Sequence, residues 1–136
     1  MSTDPLEQAR KMWADDPASR ALGMALLELG PGHAVVAMTV RPNMVNGYDV
    51  CHGGLVASLA DSAFALACNS RGVATVAAGF DVTFLAPSHM GDLLVATADE
   101  RALRGRSGLY DVTVRRDDDV VAEFRGRSRS RPARTD

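Results

Sequence analysis

Residues 51–70, reading CHGGLVASLADSAFALACNS, constrain the fold more than any other stretch of the chain. After the Gly53-Gly54 pair the run is almost wholly apolar or small, and its apolar positions cover about three quarters of a helical wheel, far wider than the stripe of a surface helix. Such a helix is buried on most sides. In a chain of 136 residues it occupies much of the single core that this length allows. One ionisable side chain, Asp61, sits in its middle. Carboxylates are rarely buried without a partner, so this one needs a structural or a chemical reason.

The small and polar exceptions fall in register. Ser58, Asp61, Ser62, Ala65 and Asn69 follow steps of three and four, which places them on one helical face, and Gly54 joins them two turns before Asp61. The opposite arc carries Val56, Leu59, Ala60, Ala63, Phe64 and Ala67. A helix over about 53–70 is predicted, its broad side covered by a sheet and its narrow seam turned to a site or to another helix.

The rest of the chain supplies the sheet. Residues 4–15 read as a short helix with Asp4 as cap and Pro5 at its first position, stopped by Asp15-Asp16-Pro17, so that 1–20 forms an N-terminal helical segment. Ala21 to Leu29 and residues 33–41 read as a hairpin about Gly30-Pro31-Gly32. Arg71-Gly72 is predicted to end the long helix. Four further strands follow, over 73–86, 92–103, 109–115 and from Val120 onward, joined by short turns that argue for antiparallel pairing. The expectation is one α+β domain spanning 1–136, an antiparallel sheet wrapped around a central helix, with 130–136 as a flexible tail. Arg125, Arg127, Arg129 and Arg131 alternate and read as the solvated edge of the last strand, phosphate binding being the alternative.

A net charge of −2 gives no general attraction to nucleic acid or anionic membranes. No stretch has the length and purity of a membrane span, and MSTDPLEQARKM lacks the apolar core of a signal peptide. Cys51 and Cys68 do not form a CxxC pair and read as reduced thiols, which predicts a cytoplasmic protein. Phosphate loops, GxSxG elbows and dinucleotide fingerprints are missing from the sequence, and His33, His52 and His89 lack metal-ligand spacing, so no metal is expected. What remains is His52-Gly53-Gly54 at the start of the long helix. A helix N-terminus offers unpaired N–H groups and partial positive charge, and glycine lets a carbonyl oxygen approach closely, which suits an oxyanion hole. Asp61 has the chemistry to attack a carbonyl or activate a water. A plain turn at the glycines and a structural hydrogen bond at Asp61 are the alternatives.

The stretch Asn46–Asn69, with HGG, LAD and ACNS, resembles the hot-dog thioesterases, closest to the phenylacetic acid degradation group of hydroxyphenylacetyl-CoA thioesterase type. FDVTFLAP, SGLYDV and VAEFRG downstream, and ALGM and AVVAMTV upstream, fit the same group, so the resemblance spans nearly the whole chain. It implies hydrolysis of aromatic acyl-CoA thioesters, with no cofactor beyond the CoA carried by the substrate. It also implies homodimers with shared active sites that pair into tetramers. Asp61 matches the family's catalytic carboxylate, nucleophile or general base. Gly53 or Gly54 matches the glycine whose N–H polarises the thioester carbonyl, while His52 and Asn46 match polar residues lining the site. Gly54 and Ser62 fall beside the substrate, and Arg104, Arg106, Ser107 and Gly108 are candidates for the CoA arm, a solvated turn being their alternative. A dehydratase or hydratase of the same fold would want a histidine on the helix, and none lies between 53 and 70. A non-catalytic acyl-CoA-binding protein is the other rival, against which the intact Asp61 argues. Asp61 also follows Gly53 by eight positions, a helical rise of about 12 Å. Both cannot readily reach one carbonyl from the same chain, which predicts two helices packed antiparallel across a twofold axis.

Overall fold

The apolar stretch folds as a helix, α3 (Gly53–Cys68), in a computed structural model that describes residues 4–132. Asn69, rather than Arg71-Gly72, closes it, and the helix therefore stops two residues short of 70. The reason is a side-chain clasp: Asn69 Nδ2 donates to the carbonyls of Ala65 (2.9 Å) and Thr75 (3.0 Å), while Oδ1 accepts from Thr75 N (2.9 Å). That amide bonds the last helical turn and the first residue of the following strand at once.

Among the described residues six strands form one antiparallel sheet in the order β1-β2-β4-β5-β6-β3. They are β1 (Ala25–Gly30), β2 (His33–Thr39), β3 (Thr75–Phe84), β4 (Leu93–Arg104), β5 (Ser107–Arg116) and β6 (Asp119–Ser130). Alternate residues of the central strands turn toward α3: Leu94, Ala96 and Ala98 from β4, Tyr110, Val112 and Val114 from β5, Ala122 and Phe124 from β6. All are buried, as are Val56, Leu59, Ala60, Ala63, Phe64 and Ala67 of the helix, so the apolar arc is covered by the sheet as its width requires. Phe64 sits between Tyr110 and Phe124 with ring centroids 5.5 and 5.8 Å away. It lies directly against Gly126 of β6, where a Cβ would come within 2.8 Å of the ring.

The N-terminal segment departs from the sequence expectation. α1 (Leu6–Ala14) starts where Asp4 Oδ1 accepts from Leu6 N (2.9 Å), but Asp16-Pro17 opens a second helix, α2 (Pro17–Ala21). An Asp before a Pro ends one helix and equally caps the next, since Pro is favoured at the first helical position. The first strand accordingly begins at Ala25 instead of Ala21. The arginine series is not at an edge either: β6 lies between β5 and β3. Arg125 pairs with Asp111 (2.7 Å), Arg127 with Asp81 (3.0 Å), and Arg129 donates to Ser107 Oγ (2.9 Å), all on the face away from α3. Residues 133–136 of the expected tail, like 1–3, lie outside the described residues, and β6 itself runs to Ser130. The edges are β1 and β3. Along β3, Val76, Phe80 and Phe84 are exposed, as is Leu85 just beyond it. Among the described residues no helix is long and apolar enough to cross a membrane.

Candidate active site

Asp61 emerges on the side of α3 that the sheet leaves bare. A groove of about 230 Å³ runs there between α3 and the α2 segment, lined by Ala18, Leu22 and Met24 on one wall and by Ser58, Asp61, Ser62 and Ala65 on the other. Thus the small-and-polar seam is both a helix contact and an opening. The Asp61 carboxyl is partly buried, and among the described residues it has no hydrogen bond or ion pair. Burial pushes its pKa above the ordinary value of 3.8, and the nearby charge of Asp16 pushes it the same way. Two turns further along the helix, Cys68 is driven up to about 12 by burial, with the charge of Asp61 adding, so it carries no thiolate reactivity. Ser62 is engaged: its Oγ lies 2.8 Å from Ser19 Oγ of α2.

The helix start forms a separate place. Gly53 and Gly54 lie in the first turn, and their N–H groups donate to no acceptor among the described residues; the first bonds to His52 O come from Leu55 and Val56. Beside them opens a cleft of about 350 Å³ lined by Asn46, Gly53, Phe84 and Ser88, among others. Asn46 commits its side-chain oxygen to the N–H groups of Tyr48 (2.9 Å) and Val50 (3.3 Å), shaping the loop that feeds α3. His52 is exposed at the N-cap. The two glycines differ: a Cβ on Gly53 would strike the Phe84 ring at 2.8 Å, whereas around Gly54 there is open space. Ser88 is 2% exposed and its Oγ has no partner among the described residues, an orphaned hydroxyl in the cleft wall.

Arg104, Ser107 and Gly108 meet in a third depression of about 430 Å³, together with Arg127 and Arg129, around the β4–β5 turn. Arg106 turns instead into a small cavity near the helix C-terminus, its Nε donating to Ser130 O (3.0 Å). Within one chain the expected residues therefore fall in four places: Asn46, His52, Gly53 and Gly54 at the helix start, Asp61 and Ser62 in the groove, Arg104, Ser107 and Gly108 at the β4–β5 turn, and Arg106 in a cavity of its own. Sequence reasoning missed Asp16, Ser19, Phe84 and Ser88. The first two carried a visible signal, since a capping Asp followed by Pro starts a helix; Ser88 lies in a Pro-Ser turn and carried none.

The thioesterase superfamily model matches residues 48–123 of the chain. The acyl-coenzyme A thioesterase PaaI of Escherichia coli K12 is 44% identical over 129 residues, covering 94% of this chain and 92% of that protein. The solved structure of E. coli PaaI superposes with a TM-score of 0.91 at 42% identity, covering 96% of both chains. A mutant form of the phenylacetic acid degradation protein PaaI from Thermus thermophilus superposes with a TM-score of 0.82 at 40% identity, covering 86% of this chain and all of that one.

Proposed function

The chain belongs to the thioesterase superfamily and is an acyl-CoA thioesterase of hot-dog fold, and we propose that it hydrolyses aromatic acyl-CoA esters at sites shared between two chains. The observation that carries this reading is Asp61: a partly buried carboxylate without a partner, in a groove, with its pKa raised. A raised pKa brings a general base closer to the working pH, and the lack of a partner among the described residues leaves its oxygens free to act. Asp61 is the nucleophile or the base, and an unpaired N–H at Gly53 or Gly54 stabilises the carbonyl oxygen as it gains charge. In the general-base form a water oxygen attacks the thioester carbon while Asp61 takes its proton. Collapse breaks the C–S bond, and the CoA sulfur leaves with that proton.

Sharing follows from the separation of the groups. Asp61 lies in one groove, Gly53 and Gly54 beside another cleft about two turns away along the same helix. A second copy whose α3 runs antiparallel brings its helix start to the Asp61 groove. The unpaired β3 edge, with Val76, Phe80 and Phe84 exposed, supports such pairing, and dimers of this kind assemble further into tetramers in the same reading. His52 and Asn46 complete the helix-start half, Gly54 and Ser62 flank the substrate, and Arg104, Arg106, Ser107 and Gly108 take the CoA arm. No cofactor enters this scheme.

The test combines two inactive proteins. Asp61→Asn chains are mixed with Gly54→Leu chains, whose new side chain projects into open space over the helix start. Asp61→Asn alone lowers kcat at least about 10²-fold with little change in KM. Mixed dimers regain activity because one of their two sites is intact, and they favour phenylacetyl-CoA over straight-chain esters. Lack of recovery despite demonstrated chain exchange refutes the shared site, and near-normal turnover of Asp61→Asn refutes the role of the carboxylate.

A further inference from the structure

We propose that Asp16 and Ser19 are positioning residues that turn the proton of Ser62 away from the groove, so that Ser62 and Asp61 accept the two protons of the attacking water. The inference rests on Asp61 acting as general base. Asp16 caps α2 with both oxygens: Oδ1 accepts from Ser19 N (3.0 Å) and Oδ2 from Ser19 Oγ (2.7 Å). A hydroxyl has one proton to give. Ser19 gives its own to Asp16, so in the 2.8 Å contact between the two serine oxygens the donor is Ser62.

The wiring leaves Ser62 with lone pairs only. Ser58 is in the same condition, its Oγ donating to Gly54 O at 2.8 Å. Every polar side chain lining the groove, Asp16, Ser19, Ser58, Asp61 and Ser62, is then an acceptor toward its interior. A ligand seated against such a wall must bring protons. Water brings two, and when both are given to Asp61 and Ser62 its lone pair is turned outward, toward a carbonyl carbon. Asp61 and Ser62 are neighbours in sequence and line one groove, whose 230 Å³ holds several waters at about 30 Å³ each. In the step itself, the water oxygen bonds to the acyl carbon and one proton passes to Asp61. The other stays on the new carboxylic acid, facing Ser62. The C–S bond breaks, and the thiolate takes the proton from Asp61, which is restored.

Ser19→Ala removes the acceptor of the Ser62 proton, which then turns to the Asp61 carboxylate and competes with the water. One misdirected hydrogen bond at the transition state lowers kcat about tenfold. KM for the CoA ester stays within about twofold, because substrate binding does not use that water. Ser19→Thr keeps a hydroxyl and restores kcat, and this rescue separates proton direction from mere support of α2. Ser62→Ala lowers kcat by a similar factor, and the double variant Ser19→Ala/Ser62→Ala is no worse than Ser62→Ala alone, since the wire has nothing left to act on. Thermal midpoints of all variants are measured beside the kinetics. A Ser19→Ala protein with wild-type kcat overturns the proposal, whatever its midpoint, and so do multiplying losses in the double variant. If Asp61→Asn is inactive in either case, the role of Asp61 stands while the wire falls. If Asp61→Asn is active, it is the functional reading that fails.

Discussion

Asp61→Asn should make the protein more stable while abolishing its activity. The carboxylate is partly buried with no partner among the described residues, and burial followed by the charge of Asp16 raises its pKa from 3.8. A group whose pKa rises on folding binds more protons in the folded state, so stability falls as pH rises between the unfolded and folded values. The penalty is absent below 3.8 and complete above the folded pKa. Asparagine fills the same space without charge and escapes most of it. An unsatisfied buried polar group costs about 1–3 kcal/mol, and the partial exposure of Asp61 argues for the lower end, about 1 kcal/mol. For a chain of this length that raises the melting temperature by about 3–4 °C. Calorimetry at about pH 7.5 and again toward pH 4 reads both parts: a higher midpoint for the variant at neutral pH, and a gap that closes on acidification. A variant that melts at or below the wild type at neutral pH would refute the reasoning. A gap that does not change with pH would do the same, because the advantage would then not come from charge.

Gly126→Ala should destabilise the fold by about 2 kcal/mol, since the new methyl group meets the fully buried Phe64 ring at 2.8 Å and forces it to shift. Chemical denaturation checks it, with a lower midpoint at unchanged slope expected and wild-type stability showing that Phe64 can move aside. Arg104→Ala or Arg106→Ala should raise KM for the CoA ester more than it lowers kcat. Unchanged kinetics in both variants would take the β4–β5 turn off the path of the CoA arm.

The long helix was legible because its period and its width say the same thing. Val56, Leu59, Ala60, Ala63, Phe64 and Ala67 fix which side is buried, and the breadth of that arc demands a sheet. The hairpins from β4 to β6 were legible from their turns. Strand order was not: nothing local in residues 119–130 tells whether the strand lies inside the sheet or at its edge, because that depends on where β3 returns after a helix. Asp61 stood out as a charge in an apolar run, a conflict visible without coordinates. Asp16 and Ser19 carried only the helix-start signal of Asp-Pro, which also reads as a stop, and nothing local tells that the short helix brings them to the groove. The separation of Asp61 from Gly53 came from helical rise alone. The cleft beside Gly53 depends on Phe84 and Ser88 folding back from distant strand ends, which no local pattern announces.

The lining of the Asp61 groove also bears on how the enzyme is vacated. An acyl-CoA ester arrives with a neutral carbonyl and leaves as a free acid, which ionises at neutral pH. An ionised acid is a pure acceptor and has no proton to offer Asp16, Ser58, Asp61 or Ser62. Once formed, it faces two like charges and two hydroxyls pointed elsewhere. On the proposed reading, the ionised acid finds no hydrogen-bond donor among these four side chains, so the Asp61 wall of the site favours its departure over its retention.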